Sequence, residues 1–91
     1  ARDDWVCAIC AAPSLLGDLG LLEGRAATIH PAWQDKLCCG DYREESVVRD
    51  GRFVTSRGAG TALPFALTLA RLLAGEDKAR EVAAGMVAEL P

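Results

Sequence analysis

Long apolar runs are missing from this sequence of 91 residues. None approaches the roughly 18 residues that a helix needs to cross a bilayer. Residues 1–4 also lack the basic and apolar layout of a secretory signal peptide. We therefore expect a soluble protein that resides in the cytoplasm and does not contact a membrane.

Positive charge is in short supply as well. Lysine and arginine number 10 against 13 aspartates and glutamates, so the net charge is -3 and no basic stripe could follow phosphates. Nucleic acid is therefore not an expected partner. Aromatic residues make up only 5% of the chain, yet hydrophobic residues make up 51%, which excludes a disordered tail and indicates one small domain with a core.

Disulfide bonding is not the expected use of the four cysteines. Cys38 and Cys39 are adjacent, and the apolar content suffices for an ordinary core, so reduced thiols fit better than a disulfide scaffold. At this pair, near the end of a short predicted helix, we expect one buried and one partly exposed thiol.

What the sequence does contain is the pattern of an α/β fold. Residues 5–10 form an apolar run without alternation, which is typical of a parallel strand covered on both faces. Pro13 follows at a first-turn position, and the Asp50-Gly51 pair between β-branched residues is a hairpin signal. The order β-α-β-α-β-β-α-α follows from these predicted elements: a strand at 5–10, a helix that ends at Gly24, a strand at 25–29, a short helix at 33–37, two strands within 44–55, a helix at 63–73 ended by Gly75, and a last helix at 77–90.

The strand at residues 5–10 has no earlier β-α unit with which to pair, although buried backbone groups are almost always hydrogen-bonded. About four unpaired groups at about 1–3 kcal/mol each would remove most of a typical stability of about 5–15 kcal/mol. We therefore expect the chain to be stable only with a complementary segment, the other half of the same fold. A monodisperse monomer of the isolated chain that melts cooperatively would contradict this expectation.

Cys10 lies at the predicted turn from strand to helix. Small residues two positions before and after it, Ala8 and Ala12, meet the steric requirement of a nucleophile elbow. A helix N-terminus stabilises a thiolate through its free N–H groups and its dipole. The residues alone leave a buried core cysteine open, because free cysteine is among the most buried residue types. Cys7 and Cys10 also have C-x-x-C spacing, but residues three apart on a strand face opposite sides, so we expect no dithiol or metal site.

His30 is the only histidine in the sequence. It directly follows the predicted strand at 25–29, as Cys10 follows the strand at 5–10. If these strands are parallel, both side chains emerge at the carboxyl edge of the sheet, where open α/β sheets hold their sites. His30 is therefore the candidate base for Cys10, and a structural histidine before Pro31 is the alternative.

A glycine-rich turn at residues 56–61 precedes the long helix. Its glycine spacing is not that of a Walker motif, and no Gly-Lys-Ser/Thr sequence follows. We expect a tight turn in which Thr61 caps the helix. An anion-binding turn at the start of a helix is the alternative.

Several separated motifs occur in the order and spacing of the ThiJ/PfpI superfamily. The chain resembles the C-terminal half of such a protein, most closely in the branch that includes the parkinsonism-associated deglycase. The resemblance implies a flavodoxin-like three-layer α/β/α sandwich about twice this length, with residues 1–91 as the C-terminal portion of a single domain and the N-terminal half absent. The motifs are Ala8-Ile9-Cys10-Ala11-Ala12-Pro13, Thr28-Ile29-His30-Pro31, Asp50-Gly51, Thr55-Ser56-Arg57-Gly58-Ala59-Gly60-Thr61-Ala62 and Phe65-Ala66-Leu67.

The same resemblance implies the roles of individual residues. Cys10 corresponds to the nucleophile, His30 to a histidine near it, and the backbone N–H of Ala11 to a donor that holds an oxyanion or an oxidised sulfur. The essential glutamate of the family lies in the absent half, so an isolated copy of this chain is expected to be inactive. No metal and no cofactor are implied. The residues implied to line the oxyanion site and pocket are Ala11, Ala12, Arg57, Gly58 and Ala59.

The implied activity is that of a cofactor-free glyoxalase or deglycase that acts on methylglyoxal-like oxoaldehydes or their protein adducts, in a homodimer of the complete domain. Protease activity is disfavoured, because the peptidase branch has a histidine where this chain has Ala11. Ala59 stands where close relatives often carry proline. The alternative is an oxidative-stress sensor or chaperone-like protein that uses an oxidisable Cys10 without significant turnover.

Overall fold

A three-stranded sheet carries the first strand of the protein. The structure is a computed structural model, and it describes residues 4–90. Strand β1 (Val6–Ile9) forms from the unbroken apolar run and pairs in parallel with β5 (Phe53–Ser56). Strand β4 (Val47–Asp50) pairs with β5 in the antiparallel direction. The order β1-β5-β4 places β5 in the centre, and all four of its residues are buried.

The predicted hairpin between β4 and β5 is confirmed. Gly51 has a φ of 61°, the left-handed conformation that a tight hairpin turn needs. The Asp50 carboxylate accepts a hydrogen bond of 2.7 Å from the N–H of Ala26 and lies 3.7 Å from the Arg25 guanidinium. The hairpin is therefore tied to the start of the next strand pair.

That second pair is a small parallel sheet. It joins β2 (Ala26–Ala27) to β3 (Asp41–Tyr42), and the sequence had predicted β2 but not β3. A 3-10 helix, Pro31–Lys36, takes the place of the short helix predicted at 33–37. Only two residues in each strand form the ladder, which is too few for an alternation pattern to show in the sequence.

Helix α1 (Pro13–Asp18) is shorter than predicted. Gly20 has a φ of 77°, and its N–H donates to the carbonyl of Gly17 at 2.9 Å. The N–H of Leu21 donates to the carbonyl of Leu16 at 3.1 Å, which completes a Schellman motif. The first available glycine in a left-handed conformation thus ends the helix, and the predicted end at residue 24 is wrong.

Two helices complete the chain. Helix α2 (Ala62–Ala74) ends at Gly75, whose φ is 94°, as predicted. Helix α3 (Glu76–Gly85) packs against α2 through a face that includes the buried residues Ala79 and Ala83. It stops short of the predicted end at residue 90.

The core lies between the hairpin, the first helix and the small sheet. Its fully packed members are Leu22, Ala27 and Phe53. Four partly buried side chains pack against the core: Val6, Leu16, Leu37 and Cys39.

Since β1 and β5 are parallel, the segments that leave them emerge at one edge of the sheet. None of the helices within residues 4–90 is long and apolar enough to span a membrane.

Thr28, directly after β2, contacts Thr55 of β5. The N–H of Thr28 donates a hydrogen bond of 2.9 Å to the hydroxyl of Thr55, and both residues are buried. The hydroxyl of Thr28 is also buried and has no hydrogen-bond partner among residues 4–90. A buried hydroxyl without a partner costs free energy, whereas the hydroxyl of Thr55 satisfies a buried amide.

We expect the two threonines to respond oppositely to the same isosteric change. Thr28→Val should leave the free energy of unfolding unchanged or raise it by up to about 1 kcal/mol, because it removes an unpaired polar group. Thr55→Val should lower it by about 1–3 kcal/mol, because the N–H of Thr28 loses its acceptor. Urea denaturation of both variants, each complemented by the other half of the fold, measures the difference. Equal losses would mean that the hydroxyl of Thr28 has a partner after all.

Candidate active site

Cys10 occupies a strained bend between β1 and α1. Its φ is 64°, a conformation that costs a residue other than glycine about 1–3 kcal/mol. The N–H of Ala12 reaches back over the bend to the carbonyl of Ile9 at 3.2 Å, and α1 begins at Pro13. The Cys10 residue is exposed. The bend that the sequence predicted is therefore present, with an accessible sulfur at its tip.

The two alanines after Cys10 form the entry to α1. Ala12 has helical backbone angles, and its methyl side chain makes no capping hydrogen bond. The carbonyl of Ala11 accepts hydrogen bonds from both the N–H and the hydroxyl of Ser14, at 3.1 and 2.7 Å. The N–H of Ala11 donates no hydrogen bond to any group in residues 4–90. This amide is consequently available to an anion that forms beside Cys10.

His30 lies next to Cys10 through the main chain. Its N–H donates to the carbonyl of Cys10 at 3.1 Å. Its ring nitrogen Nδ1 accepts a hydrogen bond of 3.1 Å from the N–H of Ala32, which caps the 3-10 helix. The imidazole is exposed. The main-chain hydrogen bond brings the two candidate residues to the same edge of the molecule.

An open groove of about 500 Å³ runs beside His30. A Cβ atom added at Gly58 would lie 3.3 Å from Cδ2 of His30, so the imidazole rests on the backbone of this glycine. Cys10, Ala11 and Ala12 are not among the residues that line the groove. The groove is lined by His30, Pro31, Glu44, Ser46, Arg57, Gly58, Ala59, Gly60 and Thr61.

Arg57 lines this groove, but its guanidinium binds the protein. Nε donates to the carbonyl of Ile29 at 3.0 Å, and Nη1 donates to the carbonyl of Glu44 at 3.3 Å. Nη2 donates to the hydroxyl of Tyr42. Arg57 therefore joins three separate segments around His30. No sequence pattern pointed to Tyr42, because β3 was not predicted.

Thr61 organises the glycine-rich turn in a way that differs from the prediction. Its side chain makes no capping hydrogen bond to α2. Instead, its Oγ1 accepts from the N–H groups of Arg57 and Gly58 at 3.1 and 3.0 Å and lies 2.7 Å from the hydroxyl of Ser56. The predicted helix cap is thus wrong, and two of the amides that an anion-binding turn would offer are already occupied.

The other cysteines have different surroundings. Desolvation raises the pKa of the Cys7 thiol. Desolvation also raises the pKa of Cys39; charges on Asp41 and Cys38 add to this, and a backbone hydrogen bond at Asp41 opposes it. Cys39 is half-buried against the core and Cys38 is exposed. No group of three or more potential metal ligands occurs in the described part of the chain.

Within residues 4–90, β1 lies at the edge of its sheet and only Ala8 in it is buried, so the predicted coverage of this strand on both faces is not observed. A cysteine held in a left-handed bend between a parallel strand and a helix has the geometry of a nucleophile elbow of an α/β fold. The chain belongs to the DJ-1/PfpI family, whose model matches residues 1–72.

Curated proteins with different names are similar in sequence to this chain. The protein dj-1beta of Drosophila melanogaster is 42% identical over 85 residues, which are 90% of this chain and 45% of that protein. The glutathione-independent glyoxalase DJR-1.2 of Caenorhabditis elegans is 40% identical over 73 residues, 78% of this chain and 39% of that protein. The isonitrile hydratase of Pseudomonas putida is 40% identical over 84 residues, 90% of this chain and 37% of that protein. This chain spans less than half the length of each of these relatives.

Solved structures show the same fold. The crystal structure of Drosophila melanogaster DJ-1beta matches with a TM-score of 0.89 and 39% identity, over 96% of this chain and 48% of the other. Toxoplasma gondii DJ-1 in an oxidized form matches with a TM-score of 0.87 and 32% identity, over 94% of this chain and 47% of the other. The predicted flavodoxin-like α/β class is confirmed, and the chain covers about half of each of these structures.

Replacement of Cys10 should reveal the strain in the bend. Glycine adopts the left-handed conformation freely, so Cys10→Gly should be more stable than Cys10→Ala by about 1 kcal/mol, although glycine loses more entropy on folding. Ala12 provides the control, since its φ of -57° suits any residue. There, Ala12→Gly should lower the stability by about 0.5–1 kcal/mol. Chemical denaturation of the variants in the complemented protein measures both differences, and equal stability of the two Cys10 variants would argue against a strained bend.

Proposed function

We propose that this chain carries the nucleophile of a cysteine-dependent, cofactor-free glyoxalase or deglycase that acts on methylglyoxal-like oxoaldehydes or their protein adducts. The observation that carries the proposal is the exposed Cys10 on its strained bend, with the unbonded N–H of Ala11 beside it. A strained, accessible thiol is costly to maintain for packing alone. Reactivity of the Cys10 thiol therefore explains the strained bend better than packing does.

The proposed reaction begins with the Cys10 thiolate. Its sulfur bonds to the aldehyde carbon, and the π electrons of the carbonyl move onto the oxygen, which the N–H of Ala11 stabilises. Protonation of that oxygen gives a hemithioacetal. The proton on the former aldehyde carbon then moves to the neighbouring carbon, and the hydroxyl proton of the hemithioacetal moves to the oxygen of that neighbouring carbon. The carbonyl is thereby transferred to the carbon that bears the sulfur, which gives a thioester of the hydroxy acid. Water then hydrolyses the thioester and returns the thiol, so the net change is the addition of one water to the oxoaldehyde.

Proton transfer in this scheme needs a second group. We assign it to a glutamate in the other half of the same fold, together with His30, whose main chain is bonded to Cys10. The complete domain, as a homodimer, is the proposed active form. The need for the other half agrees with the coverage of the relatives, since this chain spans 45% of the fly protein and 39% of the worm glyoxalase.

The names of the relatives support the reaction class to different degrees. The worm relative is named a glutathione-independent glyoxalase, which fits chemistry at a protein thiol. The bacterial relative is named an isonitrile hydratase, which also adds water to a carbon electrophile. Both names are compatible with a nucleophilic sulfur that adds to an unsaturated carbon.

Cys10→Ser in the complemented protein should reduce lactate formation from methylglyoxal to the uncatalysed rate. A serine hydroxyl at neutral pH lacks the ionised fraction and the nucleophilicity of a thiol. Enzymatic assay of lactate measures the effect. Cys38→Ser is the matched control, because Cys38 is also exposed but lies outside the bend, and it should keep full activity. Turnover retained in Cys10→Ser, or lost in Cys38→Ser, would reject the mechanism.

A second candidate function rests on the same exposure of Cys10. A peroxide can oxidise an accessible thiolate to a sulfenic acid and then a sulfinic acid, and the parasite relative was solved in an oxidized form. The N–H of Ala11 would hold an oxygen of the oxidised sulfur. The protein would then be an oxidative-stress sensor or a chaperone-like protein without significant turnover.

Mild treatment with hydrogen peroxide distinguishes the two functions. A sensor should gain two oxygens selectively at Cys10, while Cys7 and Cys39 stay unmodified, because desolvation raises the pKa of both thiols and disfavours their thiolates. Peptide mass spectrometry locates the oxygens, and a methylglyoxal assay of the untreated protein measures turnover. Oxidation at Cys10 without turnover supports the sensor, and equal oxidation at all four cysteines would eliminate it.

A further inference from the structure

The hydrogen bond at the His30 ring fixes which nitrogen carries the proton. Nδ1 accepts from the N–H of Ala32 at 3.1 Å, so in the neutral imidazole the single hydrogen is on Nε2. We infer that His30 acts at this site as a hydrogen-bond donor through Nε2–H, and that it is not the base that removes a proton from the substrate.

The position of the ring is set on several sides. The N–H of His30 is bonded to the carbonyl of Cys10, and the carbonyl of Ile29 accepts from Nε of Arg57 at 3.0 Å. The ring edge at Cδ2 rests on Gly58, where even a methyl group would be at 3.3 Å. A residue fixed at its main chain, at Nδ1 and at one ring edge presents the remaining nitrogen in a defined direction.

Nε2 itself is free to bind a ligand. His30 makes no side-chain hydrogen bond within residues 4–90 other than the one at Nδ1, and its ring is exposed on the groove shared with Gly58 and Ala59. An N–H group in such a position can donate to an oxygen that gains negative charge. For an oxoaldehyde bonded to Cys10, we assign the oxygen on the neighbouring carbon to Nε2–H of His30, because the hydrogen bond from the His30 N–H to the Cys10 carbonyl holds these two residues beside each other.

This assignment changes which group removes the proton and which group stabilises the oxygen in the proposed reaction. The catalytic part of the inference rests on the proposed function. When the proton leaves the former aldehyde carbon, the electron pair moves towards the second oxygen, which becomes an enolate. Nε2–H of His30 stabilises that oxygen, and the group that takes the proton must be another one, the glutamate of the complementary half. A neutral imidazole whose acceptor nitrogen is bound to an amide has no lone pair to offer at Nε2.

The tautomer can be measured directly, without any substrate. Long-range ¹H–¹⁵N correlation spectra of the complemented protein, at an alkaline pH where imidazole is neutral, distinguish a protonated Nε2 from a protonated Nδ1. Comparison with His30→Asn identifies the His30 signals. We expect only the Nε2–H pattern, and a protonated Nδ1 or an averaged mixture would overturn the inference.

A pair of matched variants tests the catalytic role. The amide of glutamine in His30→Gln can place an N–H near the position of Nε2, whereas asparagine in His30→Asn reaches only the position of Nδ1, where it still accepts from Ala32 as a helix cap. Loss of one oxyanion donor typically costs about 10²–10³ in kcat, so His30→Asn should lose about a hundredfold and His30→Gln less than about tenfold. Equal losses in kcat would reject a donor role, because a missing base affects both variants alike.

The outcomes separate this inference from the proposed function. If the wild-type protein does not convert methylglyoxal, the proposed function fails, and the spectra alone decide the tautomer. If it does convert methylglyoxal and the spectra show a proton on Nδ1, only the inference about His30 fails. Circular dichroism of both variants confirms that they are folded before rates are compared.

Discussion

The parallel pairing of β1 with β5 is the constraint on which the candidate site depends. Ile9 is in register with Ser56, so the chain leaves both strands at the same height. Cys10 follows the first and Arg57 follows the second, and they therefore begin their turns side by side. Arg57 then reaches the carbonyl of Ile29 and holds the segment that carries His30. A shift of one residue in this register would move Cys10 to the other face of the sheet and separate it from the turn.

The site concentrates the unfavourable features of this small fold. Cys10 is in a left-handed conformation, and the N–H of Ala11 lacks an acceptor in the described residues. Glycine at residue 10 would relieve the first, because it adopts this conformation freely. Within residues 4–90, Val87 also has a positive φ, 52°, and the remaining positive φ angles are at glycines, among them Gly20, Gly51 and Gly75. Backbone strain at an exposed thiol supports a hypothesis of reactivity at that residue.

The sequence predicted the elements that have strong local signals. The apolar strand before Cys10, the Asp50-Gly51 hairpin and the end of α2 at Gly75 were all correct, because each depends on residues within a few positions. The end of α1 was predicted too late because leucines at residues 15, 16, 19 and 22 have helical spacing. Leu16 packs against the core, whereas Leu15 and Leu19 are 65% and 73% exposed. Helical spacing shows that a face exists but not how far the helix continues, and here Gly20 ended it first.

The parts of the site that could not be predicted depend on long-range contacts. Tyr42 reaches Arg57 only because the chain between residues 31 and 41 returns to form β3, and no local pattern announces a two-residue strand. The hydroxyl of Thr61 was expected to serve α2 and instead serves the turn before it. His30 was expected at the edge of a sheet shared with the strand before Cys10, but β2 belongs to the second sheet and ends at Ala27. The N–H of His30 reaches Cys10 through a main-chain hydrogen bond, and this bond and the one from Ala32 to the ring required coordinates.

Ala59, at the position where the family resemblance leads us to expect proline in relatives, begins the 3-10 turn Ala59–Thr61. The preceding Gly58 is extended, with φ 175° and ψ -167°, and the N–H of Ala59 makes no hydrogen bond within residues 4–90. A proline at residue 59 would therefore remove no hydrogen bond, and a compatible proline stabilises a protein by about 0.4–1 kcal/mol because it lowers the entropy of the unfolded chain. In this chain the side chain of Thr61, which binds the N–H groups of Arg57 and Gly58 and the carbonyl of Gly58, gives the turn its shape without that ring. Because the imidazole of His30 contacts the backbone of Gly58, the hydroxyl of Thr61 also helps to fix the position of the imidazole.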